Sequence, residues 1–99
     1  MPVYLLIETR VKEPPVYQHY MQQVIPLVEN YGGRYLVLGG APEPLRGDWA
    51  PERIILIRFD NREQIRQCFA SQAYRRIAAL RAASAETRAV VLQGYLPPI

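Results

Sequence analysis

From Val3 to Val11 the chain is apolar and β-branched with partial alternation, which predicts a first strand. Pro14 and Pro15 then open a helix, at the position where a missing N–H costs nothing. Tyr17, Tyr20, Met21, Val24, Leu27, Val28 and Tyr31 recur at helical spacing and make one wide apolar stripe. Pro26 falls late in that run and predicts a kink through loss of a backbone hydrogen bond. Gly32-Gly33 ends the helix, because glycine takes the left-handed conformation there without strain. A second strand follows at once, from Arg34 to Leu38. Residues 39–52 hold Gly39, Gly40, Gly47, Pro42, Pro44 and Pro51, a composition that excludes regular structure; loops of this length serve function or reach out as interaction arms. Arg53 to Phe59 is the third strand, and Asp60 with Glu63 after it reads as a capping box that starts a second helix. The stripe of that helix is Ile65, Phe69, Ala73, Ile77 and Leu80. Ser71 is a candidate second N-cap, which would split the element and put Tyr74 in the first turn of the latter piece. Thr87 to Tyr95 is the fourth strand, and Leu96-Pro97-Pro98-Ile99 an extended tail.

The order βαββαβ defines an α+β, ferredoxin-like domain spanning residues 1–99, with a four-stranded antiparallel sheet and both helices on one face. Both faces of that sheet are apolar. Ile54 and Leu56 oppose Ile55, Ile57 and Phe59; Tyr35 and Val37 oppose Leu36 and Leu38; Val90 and Leu92 oppose Val91 and Tyr95. Two helices cover one set, and the other would stand in water. Each such side chain gains about 1.5–3 kcal/mol on burial. An exposed patch of this kind marks an interface, and the simplest solution is a homodimer through the sheet face. The proline-stiffened tail could then reach across the partner.

Composition narrows the class further. The 49% hydrophobic content suffices for one core, and the 21% charged content excludes a disordered chain. The net charge of +3 is carried by arginine, Lys12 being the only lysine. Guanidinium groups suit carboxylate or phosphate ligands and equally a solvated surface. A single cysteine, Cys68, excludes an internal disulfide and any cysteine-only metal site; its place on an apolar helix face predicts a small buried hydrophobe. The N-terminal apolar run is too short and too soon charged, at Glu8 and Arg10, for a signal peptide, and no later stretch suits a membrane span. The expectation is a cytoplasmic protein with no membrane partner.

Tyr31-Gly32-Gly33-Arg34-Tyr35-Leu36-Val37 with Gly39-Gly40, Trp49-Ala50-Pro51-Glu52-Arg53, Phe59, Phe69-Ala70-Ser71-Gln72-Ala73-Tyr74 and Arg81 together form a pattern over nearly the whole chain. In these residues the sequence resembles the domain-of-unknown-function family 1330, a branch of the dimeric α+β barrel superfamily. The resemblance implies a ferredoxin-like protomer and a dimer whose two sheets form a barrel. It implies no reaction: superfamily relatives include cofactor-independent monooxygenases, muconolactone isomerases and haem-binding chlorite dismutases. By analogy with several of these, the site would be a cleft between the sheet and the helices.

Candidate chemistry is sparse. His19, the only histidine, shares an angular position with Gln23 and Pro26, away from the apolar stripe. It is either a solvated side chain or a general base at the cleft edge. Trp49, beside Asp48, would cap a ligand by stacking or pin the loop. Arg34, Arg53 and Arg81 are anion-binding candidates; for Arg53 an ion pair with a carboxylate such as Glu52 or Glu86 is the competing role, and Arg81 follows the Tyr74–Ile77 stripe toward the cleft. Tyr17, Tyr20, Tyr35 and Tyr74 serve either as core or as pocket hydroxyls. Phosphate-cradling glycine loops, GxGxxG, CxxC, HExxH and the serine nucleophile elbow are absent, and no metal site or cofactor is expected. Arg62, Arg66 and Arg76 hint at a basic helix face, but Glu63 interrupts it and no nucleic-acid module is present.

Two functional classes stand. In one, a cofactor-independent, oxygenase- or isomerase-like protein holds a small anionic or aromatic molecule in the cleft. His19 is then the catalytic candidate, and Arg34, Trp49, Tyr74 and Arg81 are the ligand-binding candidates. In the other, the chain is a non-catalytic homodimeric binding or interaction module whose same side chains serve packing.

Overall fold

The computed structural model describes residues 1–98; Ile99, the end of the expected tail, lies outside the described residues. Strand β1 (Val3–Val11) is followed by α1 (Pro14–Asn30), β2 (Arg34–Gly39), β3 (Arg53–Phe59), α2 (Arg62–Ala70), α3 (Gln72–Ser84) and β4 (Ala85–Gln93). The strands form one antiparallel sheet in the order β2-β3-β1-β4. This is the ferredoxin-like arrangement that the sequence pattern predicts. Val3, Leu5, Ile55, Ile57 and Phe59 of the sheet are buried with Tyr17, Tyr20, Val24 and Val28 of α1 and with Cys68, Tyr74 and Ile77 of α2 and α3. All the helices therefore cover one face, and α1 packs along α3.

The helix ends follow from local chemistry. At the C-terminus of α1, Gly33 N donates to Val28 O at 3.0 Å and Gly32 N to Glu29 O at 3.1 Å, the Schellman pattern, with Gly32 at φ +94°. Pro26 lies on the exposed side of α1 and does not end it. The cap of α2 is Asn61 rather than Asp60. Asn61 Oδ1 accepts from Gln64 N at 2.9 Å, while Gln64 Oε1 accepts from Asp60 N at 2.9 Å, so the reciprocal pair is shifted by one residue. Ser71 does split the second helical element: its extended backbone separates α2 from α3, and its Oγ accepts from Tyr74 N at 3.1 Å. Strand β4 begins at Ala85, two residues ahead of the expected Thr87, because Val11↔Ala85 and Arg10↔Glu86 extend its pairing with β1.

One register departs from simple alternation. Tyr35 pairs with Ile57 but Val37 with Leu56, so Leu36 is an extra residue in β2. Paired residues share a face, so Tyr35 stays with the helices and Val37 moves to the opposite face beside Leu56. The expectation that Tyr35 and Val37 share a face fails for that reason. The uncovered face consists of Tyr4 and Leu6, Ile54 and Leu56, Val37, and Val90 and Leu92. Val90 is 52% and Leu92 45% exposed.

Gly33 sits where the chain turns from α1 into β2, and a Cβ there would meet Val28 Cγ1 at 2.4 Å and Phe59 Cζ at 2.9 Å. Val28 and Phe59 are both fully buried and cannot give way. Gly33→Ala is therefore expected to lower stability by about 1–3 kcal/mol, the usual range for overpacking; the midpoint of urea unfolding measures it.

Candidate ligand site

Between the helices and the inner face of the sheet lies a cavity of about 300 Å³. Its floor is Leu5, Ile7 and Thr9 of β1, Ile55 and Ile57 of β3, and Thr87 and Ala89 of β4; Tyr17, Tyr20, Met21 and Val24 of α1 roof it. Phe69, Tyr74 and Arg81 come in from α2 and α3, and Tyr35 from β2. Short side chains at Thr9, Thr87 and Ala89 face long aromatic ones, and the mismatch leaves the space.

The polar atoms of this cavity form connected groups. Tyr20 and Tyr74 share a hydroxyl–hydroxyl hydrogen bond of 3.0 Å, and Arg81 Nε donates to the Tyr74 hydroxyl at 3.1 Å. Next along α1, the Tyr17 hydroxyl accepts at 3.1 Å from Nε of Arg53, a β3 residue outside the cavity lining, whose guanidinium carbon lies 5.4 Å from the Tyr17 ring centroid. Gly39 makes room for this arginine: a Cβ there would come within 2.7 Å of Arg53 Nη1. Glu52, the expected ion partner of Arg53, instead accepts from Val11 N at 2.8 Å. Among the described residues neither Arg53 nor Arg81 has a carboxylate oxygen within 4.0 Å. Thr87 Oγ1 is buried without a hydrogen-bond partner among the described residues.

Burial, reinforced by the Tyr74 hydroxyl, pushes the Tyr20 phenol far above its ordinary value, and burial does the same for Tyr35. Both stay protonated and act as donors or neutral acceptors. Cys68, fully buried on the inner face of α2, has its thiol pushed up to about 11 by burial, the behaviour of an inert packing residue.

The structure brings Tyr74 and Arg81 together in the cavity and places the other candidates elsewhere. His19 is exposed, its Nε2 3.0 Å from Gln23 Nε2 on the solvent side of α1, because it falls between the inward positions Tyr17 and Tyr20. Arg34 is exposed at the start of β2, opposite Arg58. Trp49 lies on the opposite side of the sheet from the cavity, where its Nε1 donates to Glu8 Oε2 at 3.3 Å and its ring borders Leu6, Ile54 and Val90. A role as a cover over the cleft does not fit that position: the loop returns to β3 across the uncovered face. Glu8 there is also bound by Arg88, whose hydrogen bond holds its carboxyl below the usual range. Thr87 and the Arg53–Tyr17 pairing are the site features that sequence reasoning misses, the first because threonine in a strand is unremarkable, the second because it joins residues 36 apart.

Among the described residues no cluster of histidine, cysteine or carboxylate side chains could hold a metal ion, and no helix is long and apolar enough to cross a membrane.

The chain belongs to the family described as "Domain of unknown function (DUF1330)", whose model matches residues 2–95. Among solved structures it is similar to RPA0582, a protein of unknown function from Rhodopseudomonas palustris, at 18% identity and a TM-score of 0.82 over 97% of this chain and 84% of that one. SnoaB, a cofactor-independent oxygenase from Streptomyces nogalater, matches at 11% identity and a TM-score of 0.68 over 97% of this chain and 95% of that one. The de novo designed protein Foldit4 matches at 18% identity and a TM-score of 0.62 over 96% of this chain and all (100%) of that one. No functionally curated protein matches in sequence. The structural likenesses establish the fold, which an oxygenase and a designed chain share.

The raised tyrosines give a pH dependence with a definite sign. Each phenol binds its proton more tightly in the folded state, so above the ordinary value of 10.0 the unfolded state holds fewer protons and stability falls. Their contribution is complete below about pH 10 and is lost as pH rises through the folded values. Urea midpoints from neutral to strongly alkaline pH are expected to decline, and Tyr35→Phe to decline less steeply.

Proposed function

We propose that this protein binds, and converts without a cofactor, a small anionic or aromatic molecule in the cleft between its helices and its sheet, working as a homodimer through the uncovered sheet face. The observation that carries the reading is the cavity itself: a largely apolar space into which Tyr74, Tyr20 and Arg81 converge, the last with no carboxylate within 4.0 Å among the described residues. That SnoaB, with the same fold, is a cofactor-independent oxygenase is compatible with chemistry in such a cleft. The cavity lining offers hydrogen-bond donors and a guanidinium but no carboxylate or imidazole. What these residues support is therefore binding, orientation and hydrogen-bond donation to a developing oxyanion, with the reactivity residing in the bound molecule. His19 and Arg34, both exposed, have no part in it.

The dimer is supported by the outer face, where seven apolar side chains from Tyr4 to Leu92 lie beside the Glu8–Arg88 pair. Trp49 lies across the same surface and would pack against the second copy.

The absence of any base from the lining favours a second reading, a homodimeric binding module that holds its ligand unchanged. Product analysis after incubation with a bound ligand separates the two.

A thermal-shift screen of aromatic and carboxylic acids tests the cleft. Ligands that raise the melting temperature are expected to lose at least half of that shift in Arg81→Ala and in Tyr74→Phe, and to keep it in Trp49→Ala. Hits indifferent to Arg81 and Tyr74 remove the cleft from the proposal. For the assembly, sedimentation at micromolar concentration is expected to give twice the chain mass, and Val90→Glu to give the single-chain mass. A wild-type protein that sediments as one chain removes the dimer.

A further inference from the structure

We infer that the molecule this cavity takes is an oxygen anion, a carboxylate, phenolate or enolate on a body of one or two rings, held purely as a hydrogen-bond acceptor. The inference rests on the cleft reading above and adds the polarity of the ligand. Its basis is the direction in which each hydrogen bond must run.

A guanidinium donates and never accepts. The Tyr17 oxygen therefore accepts from Arg53, and the Tyr17 hydroxyl proton has no acceptor among the described residues. The Tyr20–Tyr74 pair leads to the same result by another route. Tyr74 accepts from Arg81, and the pair shares one mutual hydrogen bond while owning two hydroxyl protons. Whichever hydroxyl donates to the other, one proton is left over. Thr87 Oγ1, on the cavity floor, has no partner among the described residues. Tyr17, Tyr20 and Tyr74 are only 8%, 6% and 8% exposed, so these hydroxyls belong to the cavity rather than to the outer surface.

Two spare tyrosine hydroxyl protons, and the Thr87 hydroxyl that can donate a third, thus border one cavity with no carboxylate among its lining residues, and buried donors left unmatched are costly. A neutral amide or alcohol would bring donors of its own into a space already crowded with them. An anionic oxygen brings only lone pairs. Charge points the same way: Arg81 lines the cavity and Arg53 reaches it through the Tyr17 hydroxyl, and neither has a carboxylate within 4.0 Å among the described residues. Hydrogen bonds to an ionised acceptor are about twice as strong as neutral ones. The volume of about 300 Å³ stands at the small end of ligand pockets, which limits the body to one or two rings.

The test is calorimetric titration of the whole protein with matched pairs of equal shape: benzoate against benzamide, and 2-naphthoate against 2-naphthamide. The carboxylate is expected to bind about tenfold tighter than its amide, or more. In Arg81→Gln and Tyr17→Phe that ratio should shrink toward one, with amide affinity little changed and circular dichroism verifying the fold. A second measurement needs no variant. Bound 4-nitrophenol should keep its yellow phenolate form at pH values where the free phenol is colourless, whereas a merely apolar pocket would favour the colourless form. Amides binding as tightly as carboxylates, or bound nitrophenol turning colourless, overturn the anion inference and leave the cleft reading intact. If carboxylates, amides and nitrophenol all fail to bind, the cleft reading falls with it.

Discussion

Every strand of this sheet carries apolar side chains on both sides, and the chain has helices enough for only one of them. That imbalance orders the whole molecule. On the covered side, Val28 and Phe59 close against the Gly33 backbone and fix the end of α1, and hence the line along which Tyr17, Tyr20 and Val24 cross the strands. On the other side, Leu6, Leu56 and Val90 stand over a broad surface with Glu8 and Arg88 among them. The Cα trace extends 47 × 37 × 16 Å, the proportions of a slab open on one broad side.

The cavity is a consequence of how the covered side is filled. Where Thr9, Thr87 and Ala89 of the floor lie under the tyrosines of α1, the short side chains leave space that a close-packed aliphatic core would fill. Larger apolar residues at Thr87 and Ala89 would fill the space, and proteins accept such gaps where binding needs them. Polar atoms follow the same logic. Tyr17 and Tyr74 each accept from an arginine placed by a different part of the chain, Arg53 at the start of β3 and Arg81 late in α3. The ring planes are set by packing, with Tyr74 edge-on to both Tyr20 and Phe69.

Much of this was legible in the residues. Periodicity located the strands and the stripe of α1, because tertiary packing there agrees with local preference, and the paired glycines marked the turn into β2. The split at Ser71 was legible as a cap. What escaped depends on contacts distant in sequence. Nothing in Arg34–Gly39 announces the extra residue at Leu36, which exists only in relation to β3. Asp60 and Asn61 are equally good caps in isolation, and the Gln64 side chain decides between them. The side of the sheet taken by Trp49 depends on the path of a glycine- and proline-rich loop with no periodicity to read. The tyrosine stripe was visible, but its hydroxyl partners come from residues 36 and 54 positions away, so core and pocket could not be told apart.

The extra residue in β2 has a consequence beyond its effect on Val37. That strand is one rim of the sheet, and a rim with unbroken spacing of amide groups is a template on which a foreign strand can grow. Inserting Leu36 breaks the spacing midway along the rim, so an incoming strand loses register there. The opposite rim, β4, carries Glu86 and Arg88, whose charges resist stacking against a neighbour. With each border blunted by a different device, growth of copies edge to edge into endless ribbons is disfavoured.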